Sequence, residues 1–249
     1  DPGISLADAT AYHGGDANKG QKMLDDSMKP KVRMVRLAGL VGLGAALINA
    51  VADVVFQGIP SGAYGPDTSF MWQISDDRLR FGAFLGAAVI PFSLVGFWHV
   101  YQGIKDAGRL VSAVPVLVGC YAGALGSAAH FSLLFPAMVG RAISGSDGET
   151  LPVLEQLHAD MASATAGLFW VVLGFVIFSI WWMILVLLGK TKYPRWFGML
   201  NPTFLMITLS LCLPLIPGTL GSYLFPASSA LSFAVFFAFS TALLWSWSR

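Results

Sequence analysis

The chain has 249 residues, of which 55% are hydrophobic and only 12% are charged, and its formal net charge is +1. Soluble domains carry roughly twice that share of charged residues, so the composition excludes an ordinary water-soluble domain. The small net charge, without basic runs interleaved with aromatic residues, excludes nucleic acid as a partner. Membrane lipids are the expected surroundings.

The first 36 residues are predicted to form a polar arm, and residues 37–249 the membrane domain. The arm is rich in Gly and Asp, a composition that does not build a core of its own. Its end, at 29–36, is basic and suits anionic lipid headgroups or another membrane subunit. We therefore expect the arm to bind headgroups or a neighbouring subunit of a complex.

A transmembrane helix needs roughly 20 mostly apolar residues to cross the hydrocarbon core. Six segments meet this requirement, at about 37–58, 81–104, 112–139, 159–189, 198–217 and 227–247. The sequence therefore predicts an all-α, polytopic transmembrane bundle of six spanning helices.

Basic residues predict the orientation of this bundle. With six spans, one side holds both termini and the loops 105–111 and 190–197, and 12 of the 15 Lys and Arg residues fall there. Such asymmetry marks the cytoplasmic side, so both termini are predicted on the positive, cytoplasmic-like side. The membrane is expected to be a bacterial inner membrane or an organellar membrane.

The aromatic residues near that side are expected to form an interfacial belt. They are Trp98, Tyr101, Trp181, Trp182, Tyr193, Trp196, Trp245 and Trp247. His99 lies among them, where a half-hydrated imidazole is expected.

Ionisable side chains inside a span are costly and are therefore candidates for function. On the first predicted helix, Asn49, Asp53 and Gln57 are spaced four apart and form one polar stripe on its outer half. Arg80, at the outer mouth of the second helix, is the expected counter-charge for Asp53.

Two histidines are predicted at the depth of this stripe, His130 on the third helix and His158 near the start of the fourth. Together with Asp53 they make a familiar ligand set for zinc or another divalent metal. Metal-bound hydroxide would hydrolyse a lipid there. Haem between the two histidines, or a quinone or pigment pocket, is a further possibility. The structural alternative pairs Asp53 with Arg80 or a histidine to fix the helix register.

Several short motifs are distributed over most of residues 37–247. They are Asn49-Ala-Val-Ala-Asp53, Arg80-Phe-Gly82, Gly96-Phe-Trp-His99, Ala129-His130, Tyr193-Pro-Arg-Trp196, Asn201-Pro202 and Pro226-Ala227. By these motifs the chain resembles a group of uncharacterised bacterial integral membrane proteins, classed as a domain of unknown function. The resemblance implies about six or seven spans and a first-helix aspartate, with no assigned reaction. Ala52 stands where such proteins often have Gly.

The sequence thus favours a non-enzymatic role, as a ligand-binding or assembly subunit with a small polar pocket in the outer half of the bundle. The predicted pocket residues are Asn49, Asp53, Gln57, Arg80, His130 and His158. The alternative is a metal-dependent membrane hydrolase with Asp53, His130 and His158 as zinc ligands. A haem-, quinone- or pigment-binding membrane protein is the lesser alternative.

Overall fold

The computed structural model describes residues 6–60, 64 and 69–246, and in this part of the chain all regular structure is helical. The α-helices are α1 (Leu6–Gln57), α2 (Asp76–Val89), α3 (Ser93–Ile104), α4 (Arg109–Ser132), α5 (Leu134–Ser144), α6 (Leu151–Ala164), α7 (Leu168–Leu187), α8 (Pro202–Cys212), α9 (Thr219–Leu224) and α10 (Ser228–Ser246). The backbone of the predicted arm is helical from Leu6 onward and continues directly into the first span. Its binding to headgroups or to a neighbouring subunit stays a prediction.

Within the described residues, five helical stretches are long and apolar enough to cross a membrane. They are Lys31–Gln57 in α1, Asp76–Ala107 across α2 and α3, Arg109–Ser144 across α4 and α5, Trp170–Leu187 in α7, and Thr219–Trp245 across α9 and α10. Large apolar side chains such as Val51, Phe84 and Leu117 remain exposed along them. Water does not tolerate so extensive an apolar surface, whereas lipid does. The chain is a membrane protein.

Two predicted spans differ in the structure. The segment predicted at 198–217 contains only the shorter apolar stretch Pro202–Leu215, which is about 21 Å long at 1.5 Å per residue. The segment predicted at 159–189 is divided by a 3-10 turn at Thr165–Gly167 into α6 and α7. Because of this break, α6 packs beside α5 instead of extending the span of α7.

Prolines mark several helix boundaries. Pro91 lies in the 3-10 turn between α2 and α3, Pro214 follows α8, and Pro226 separates α9 from α10. Proline has no N–H and clashes with the preceding turn, so it interrupts a helix. At the start of α8, the side chain of Asn201 accepts a hydrogen bond from the Phe204 amide at 3.0 Å, which satisfies a helix-terminal donor.

α1 and α10 pack against each other in opposite directions. Near the start of the α1 span, Arg36 donates to the carbonyl oxygen of Trp245 at 3.1 Å, and its guanidinium lies 4.6 Å from the indole centroid. At the other end, Ala50 packs with Ala227 and Ala230. Residues 36 and 245 therefore lie at one end of the bundle, which we call the Arg36 end.

α8 packs antiparallel to α10 and also contacts α7. Its first turn contacts α7, where the Thr203 amide donates to Ser179 Oγ at 3.3 Å. Its last turn contacts α10, where Ser210 Oγ donates to Ser228 Oγ at 3.0 Å. The helix therefore runs from a contact with the middle of α7 to the start of α10.

Large aromatic side chains fill the core toward the Arg36 end. Phe97, Phe178, Trp182, Phe197 and Phe236 are almost completely buried there. Trp182 and Tyr193 are thus core residues and not members of an interfacial belt, which corrects the sequence-based expectation. Trp98, Trp181, Trp196 and Trp245 are exposed on the same half, and Trp247 lies outside the described residues.

A buried polar chain crosses this core. The carbonyl oxygen of Val35 can only accept, so His99 Nδ1, 2.7 Å away, carries the hydrogen. His99 Nε2 then accepts from Ser240 Oγ at 3.0 Å, and Ser240 accepts from the Tyr193 hydroxyl at 2.7 Å. His99 is completely buried, not half-hydrated as its position near the interface predicted. Burial also raises the pKa of the Tyr193 hydroxyl well above its ordinary value.

Candidate functional site

A cavity of about 240 Å³ lies between α1, α3, α4, α7 and α10. Its polar lining residues are Asn49, Asp53 and Gln57 on α1, Ser93 on α3, His130 on α4 and Ser229 on α10. Its other walls are apolar, and the largest side chains in them are Phe97, Phe175, Phe233 and Phe237. Pockets that bind small molecules have this composition, with mostly apolar walls and a few polar groups.

The ionisable pair in this cavity is formed by Asp53 and His130. The Asp53 Oδ1 atom lies 3.4 Å from His130 Nδ1, and the two residues are 6% and 8% exposed. The amide nitrogen of Asn49 lies 3.5 Å from Asp53 Oδ2. The structure thus brings together Asn49, Asp53 and His130, and Gln57 lines the same cavity one turn farther along α1.

Two glycines on α2 allow this helix to lie close to His130 and Phe56. A Cβ atom on Gly86 would overlap His130 Nε2, and one on Gly82 would lie 2.6 Å from Phe56 Cβ. The Gly82 carbonyl oxygen lies 3.3 Å from His130 Nε2. The imidazole also packs against Phe56, with 5.0 Å between ring centroids. Small residues allow helix backbones to approach closely in lipid, and here they make room for an imidazole.

Arg80 does not pair with Asp53. It is exposed on α2, and the partner of Asp53 is His130. Arg78 points toward α1 instead, where it donates to the carbonyl oxygens of Val54, Val55 and Gly58 at 3.3, 3.2 and 2.8 Å. Positions two apart on a helix point in nearly opposite directions, about 200° apart. The predicted counter-charge is therefore corrected, since Arg78 binds the end of α1 and Arg80 faces away.

His158 is also separate from the pair. Its ring packs edge-on against Trp72, with 5.5 Å between centroids, because α6 packs on α5 and not in line with α7. Among the described residues, no group of three or more His, Cys, Asp and Glu side chains could hold a metal ion. The predicted zinc set of Asp53, His130 and His158 is thus not assembled. The two imidazoles have different neighbours, Phe56 for His130 and Trp72 for His158, and haem between them stays a prediction.

The family model described as a family of unknown function, DUF6796, matches residues 28–249. The chain belongs to this family. No curated protein and no solved structure matches the chain. The match begins before the first span and therefore includes every residue that lines the cavity.

For several residues that line the cavity of this family member, the sequence gives no indication that they belong to a site. Ser93, Ser229 and the four phenylalanines are residue types common in any span, and their periodicity does not distinguish a cavity wall from a packed core. Asp53 and His130 were detectable because ionisable groups are rare inside spans. The sequence therefore indicated the polar end of the cavity and missed its apolar end.

Proposed function

We propose that this protein is an integral membrane ligand-binding protein whose cavity takes a small amphipathic molecule. The observation that carries the proposal is the buried pair of Asp53 and His130 on the wall of a cavity that is otherwise mostly apolar. Burying ionisable groups within a membrane domain is costly and is typical of functional positions. A packed apolar contact at this depth would stabilise the bundle at a lower cost.

The size of the cavity limits the ligand. A cavity of about 150 Å³ in another protein holds benzene, so 240 Å³ has room for a body of about ten non-hydrogen atoms. The polar group of the ligand would lie at Asn49, Asp53 and His130. Its apolar body would lie against the phenylalanines.

We also propose that the chain crosses the membrane six times, with both termini on the positive side. The antiparallel packing of α1 and α10 supports an even number of crossings. The contacts of α8 with α7 and α10 support a crossing by this shorter helix. With the basic loops on the cytoplasmic side, the Asp53–His130 pair lies in the outer half of the membrane.

A binding experiment with a cavity-filling variant tests the ligand-binding function. The probes are three aromatic amphipaths of different charge, phenethyl alcohol, phenethylamine and phenylpropionate, measured by calorimetry on the purified full chain. Ala230 is buried on the cavity wall, so Ala230→Phe would fill the cavity. The matched control is Leu211→Phe on the exposed face of α8.

We expect at least one probe to bind the wild-type protein and Leu211→Phe equally. Ala230→Phe should lose that binding at least tenfold while remaining folded. If none of the probes binds, or if Ala230→Phe binds as well as wild type, the cavity is not a ligand site.

A further inference from the structure

The hydrogen positions around His130 determine how many protons the buried pair holds. A backbone carbonyl can only accept, so the contact of His130 Nε2 with the Gly82 oxygen places a hydrogen on Nε2. His130 Nδ1 and Asp53 Oδ1 then face each other at 3.4 Å. One proton between them satisfies both atoms, whichever atom holds it. Without it, a lone pair would face a buried carboxylate, which is unfavourable.

The polar end of the cavity has more hydrogen-bond acceptors than donors. Both contacts of Asp53, at 3.4 Å to His130 and 3.5 Å to Asn49, are longer than the usual 2.7–3.2 Å. Within the described part of the chain, the buried Oδ1 atom of Asn49 has no hydrogen-bond partner. A ligand that fits this end must therefore donate hydrogen bonds. A carboxylate or other anion would add acceptors where they are already in excess.

From this arrangement, and resting on the proposed ligand-binding function, we propose that the cavity binds a primary amine with a compact apolar body, in exchange for the proton held between Asp53 and His130. The three N–H groups of a primary ammonium match three acceptors, namely an Asp53 carboxylate oxygen, His130 Nδ1 and Asn49 Oδ1. One proton leaves to solvent as one ammonium enters. The net charge of the site is unchanged, so neither state leaves an uncompensated charge buried in the membrane.

The apolar wall suits the rest of such a cation. Phe97, Phe175 and Phe233 form one aromatic group, with centroid distances of 6.4, 5.9 and 4.9 Å. Aromatic faces attract cations and accommodate apolar bodies. This wall favours an amine over an inorganic cation, because only the amine has an apolar body that packs against the phenylalanines.

The other charged groups do not compete for this site. Among the described residues that line the cavity, Asp53 and His130 are the ionisable ones, and α7 and α10 contribute none. On α2, Arg78 is held by the carbonyl oxygens at the end of α1. Beyond it, Arg141 pairs with Asp76 at 3.1 Å. The proton of the pair is thus the exchangeable positive charge inside the cavity.

Calorimetry of phenethylamine binding in buffers of different ionisation enthalpy tests the exchange, because it counts the protons released. The protein is the purified full chain, and phenethyl alcohol is the uncharged probe of the same shape. We expect phenethylamine to bind at least tenfold more tightly than phenethyl alcohol and to release about one proton per molecule bound. Phenethyl alcohol should release none.

Three variants localise the effect. Asp53→Asn should abolish proton release and weaken amine binding at least tenfold. Asn49→Leu keeps the Asp53–His130 pair, so it should weaken amine binding while proton release persists, even if Asp53→Asn fails to fold. Asp106→Asn, exposed on the loop at the opposite end, should match wild type.

A result that contradicts the proton exchange does not contradict the ligand-binding function. Equal binding of phenethylamine and phenethyl alcohol, or amine binding without proton release, would show a ligand cavity without cation exchange. Absence of binding by every probe would instead contradict the ligand-binding function itself.

Discussion

The imidazole of His130 occupies the space that a Cβ atom on Gly86 would take. Gly86→Ala should therefore push His130 away from Asp53 and destabilise the bundle by about 1–3 kcal/mol, the usual cost of overpacking. Gly44→Ala is the matched control, because nothing lies within 4 Å of a Cβ added there, and alanine in a helix is about 0.5–1 kcal/mol better than glycine. Thermal unfolding of both variants measures the difference. Equal stability of the two would refute the close packing of α2 against His130.

Arg78 and Arg80 should differ in their contribution to stability. Arg78→Gln removes a charged donor from three carbonyl oxygens at the end of α1, which should cost about 1–3 kcal/mol. Arg80 is exposed, so Arg80→Gln should change stability by less than about 0.5 kcal/mol. The midpoints of denaturant unfolding compare the two. A larger loss for Arg80→Gln would contradict the exposed position of Arg80.

Ser240 joins two buried groups, His99 and Tyr193, at 3.0 and 2.7 Å. Ser240→Ala should leave His99 Nε2 and the Tyr193 hydroxyl without a partner and destabilise the protein by about 1–3 kcal/mol. Ser163 is an exposed serine on α6 and serves as the control, since Ser163→Ala removes no buried partner. If Ser240→Ala unfolds at the same temperature as Ser163→Ala, the buried polar chain contributes nothing to stability.

Alkaline pH should destabilise the protein through two tyrosines outside the spans. Burial raises the pKa of the Tyr193 and Tyr64 hydroxyls above the ordinary value of 10.0, and Tyr64 donates to the Ser222 carbonyl oxygen at 2.6 Å. The unfolded chain therefore ionises first as the pH rises. Their contribution to stability is complete below pH 10 and is lost above it.

Unfolding followed across that pH range measures this loss. Tyr193→Phe should make the decline above pH 10 shallower, because one of the two hydroxyls is gone. Leu211→Phe, which changes no ionisable group, should leave the decline as in wild type. A decline of equal steepness in Tyr193→Phe would show that the hydroxyl ionises equally in both states.

Much of the fold could be predicted because long apolar runs specify spans directly. The first, second, third and last predicted spans correspond to helical stretches of membrane-spanning length. The fourth predicted segment was too long because it includes the 3-10 turn at Thr165–Gly167. The sequence there has no proline and no pair of glycines that would have indicated a break in the helix. The fifth contains the shorter Pro202–Leu215, because Pro202 and Pro214 limit the helix from both sides.

The candidate site was only half predictable. Rarity inside a span singled out Asp53 and His130, and their depth along each helix follows from residue counting. The direction of a side chain depends on how its helix packs against the neighbouring helices, which residue counting does not give. For this reason Arg80 and His158 were assigned to a site that they do not reach. His99 is a further example, since its partner Ser240 is 141 residues away and no local pattern joins them.

An experimental map of the protein soaked with a ring-brominated phenethylamine, recorded with anomalous scattering from bromine, tests directly whether the cavity binds an amine. We expect a bromine peak among Phe97, Phe175 and Phe233, with the amine nitrogen within hydrogen-bonding distance of Asp53 and His130. Bromine found only on the lipid-facing surface, with the cavity unchanged, would contradict amine binding in the cavity.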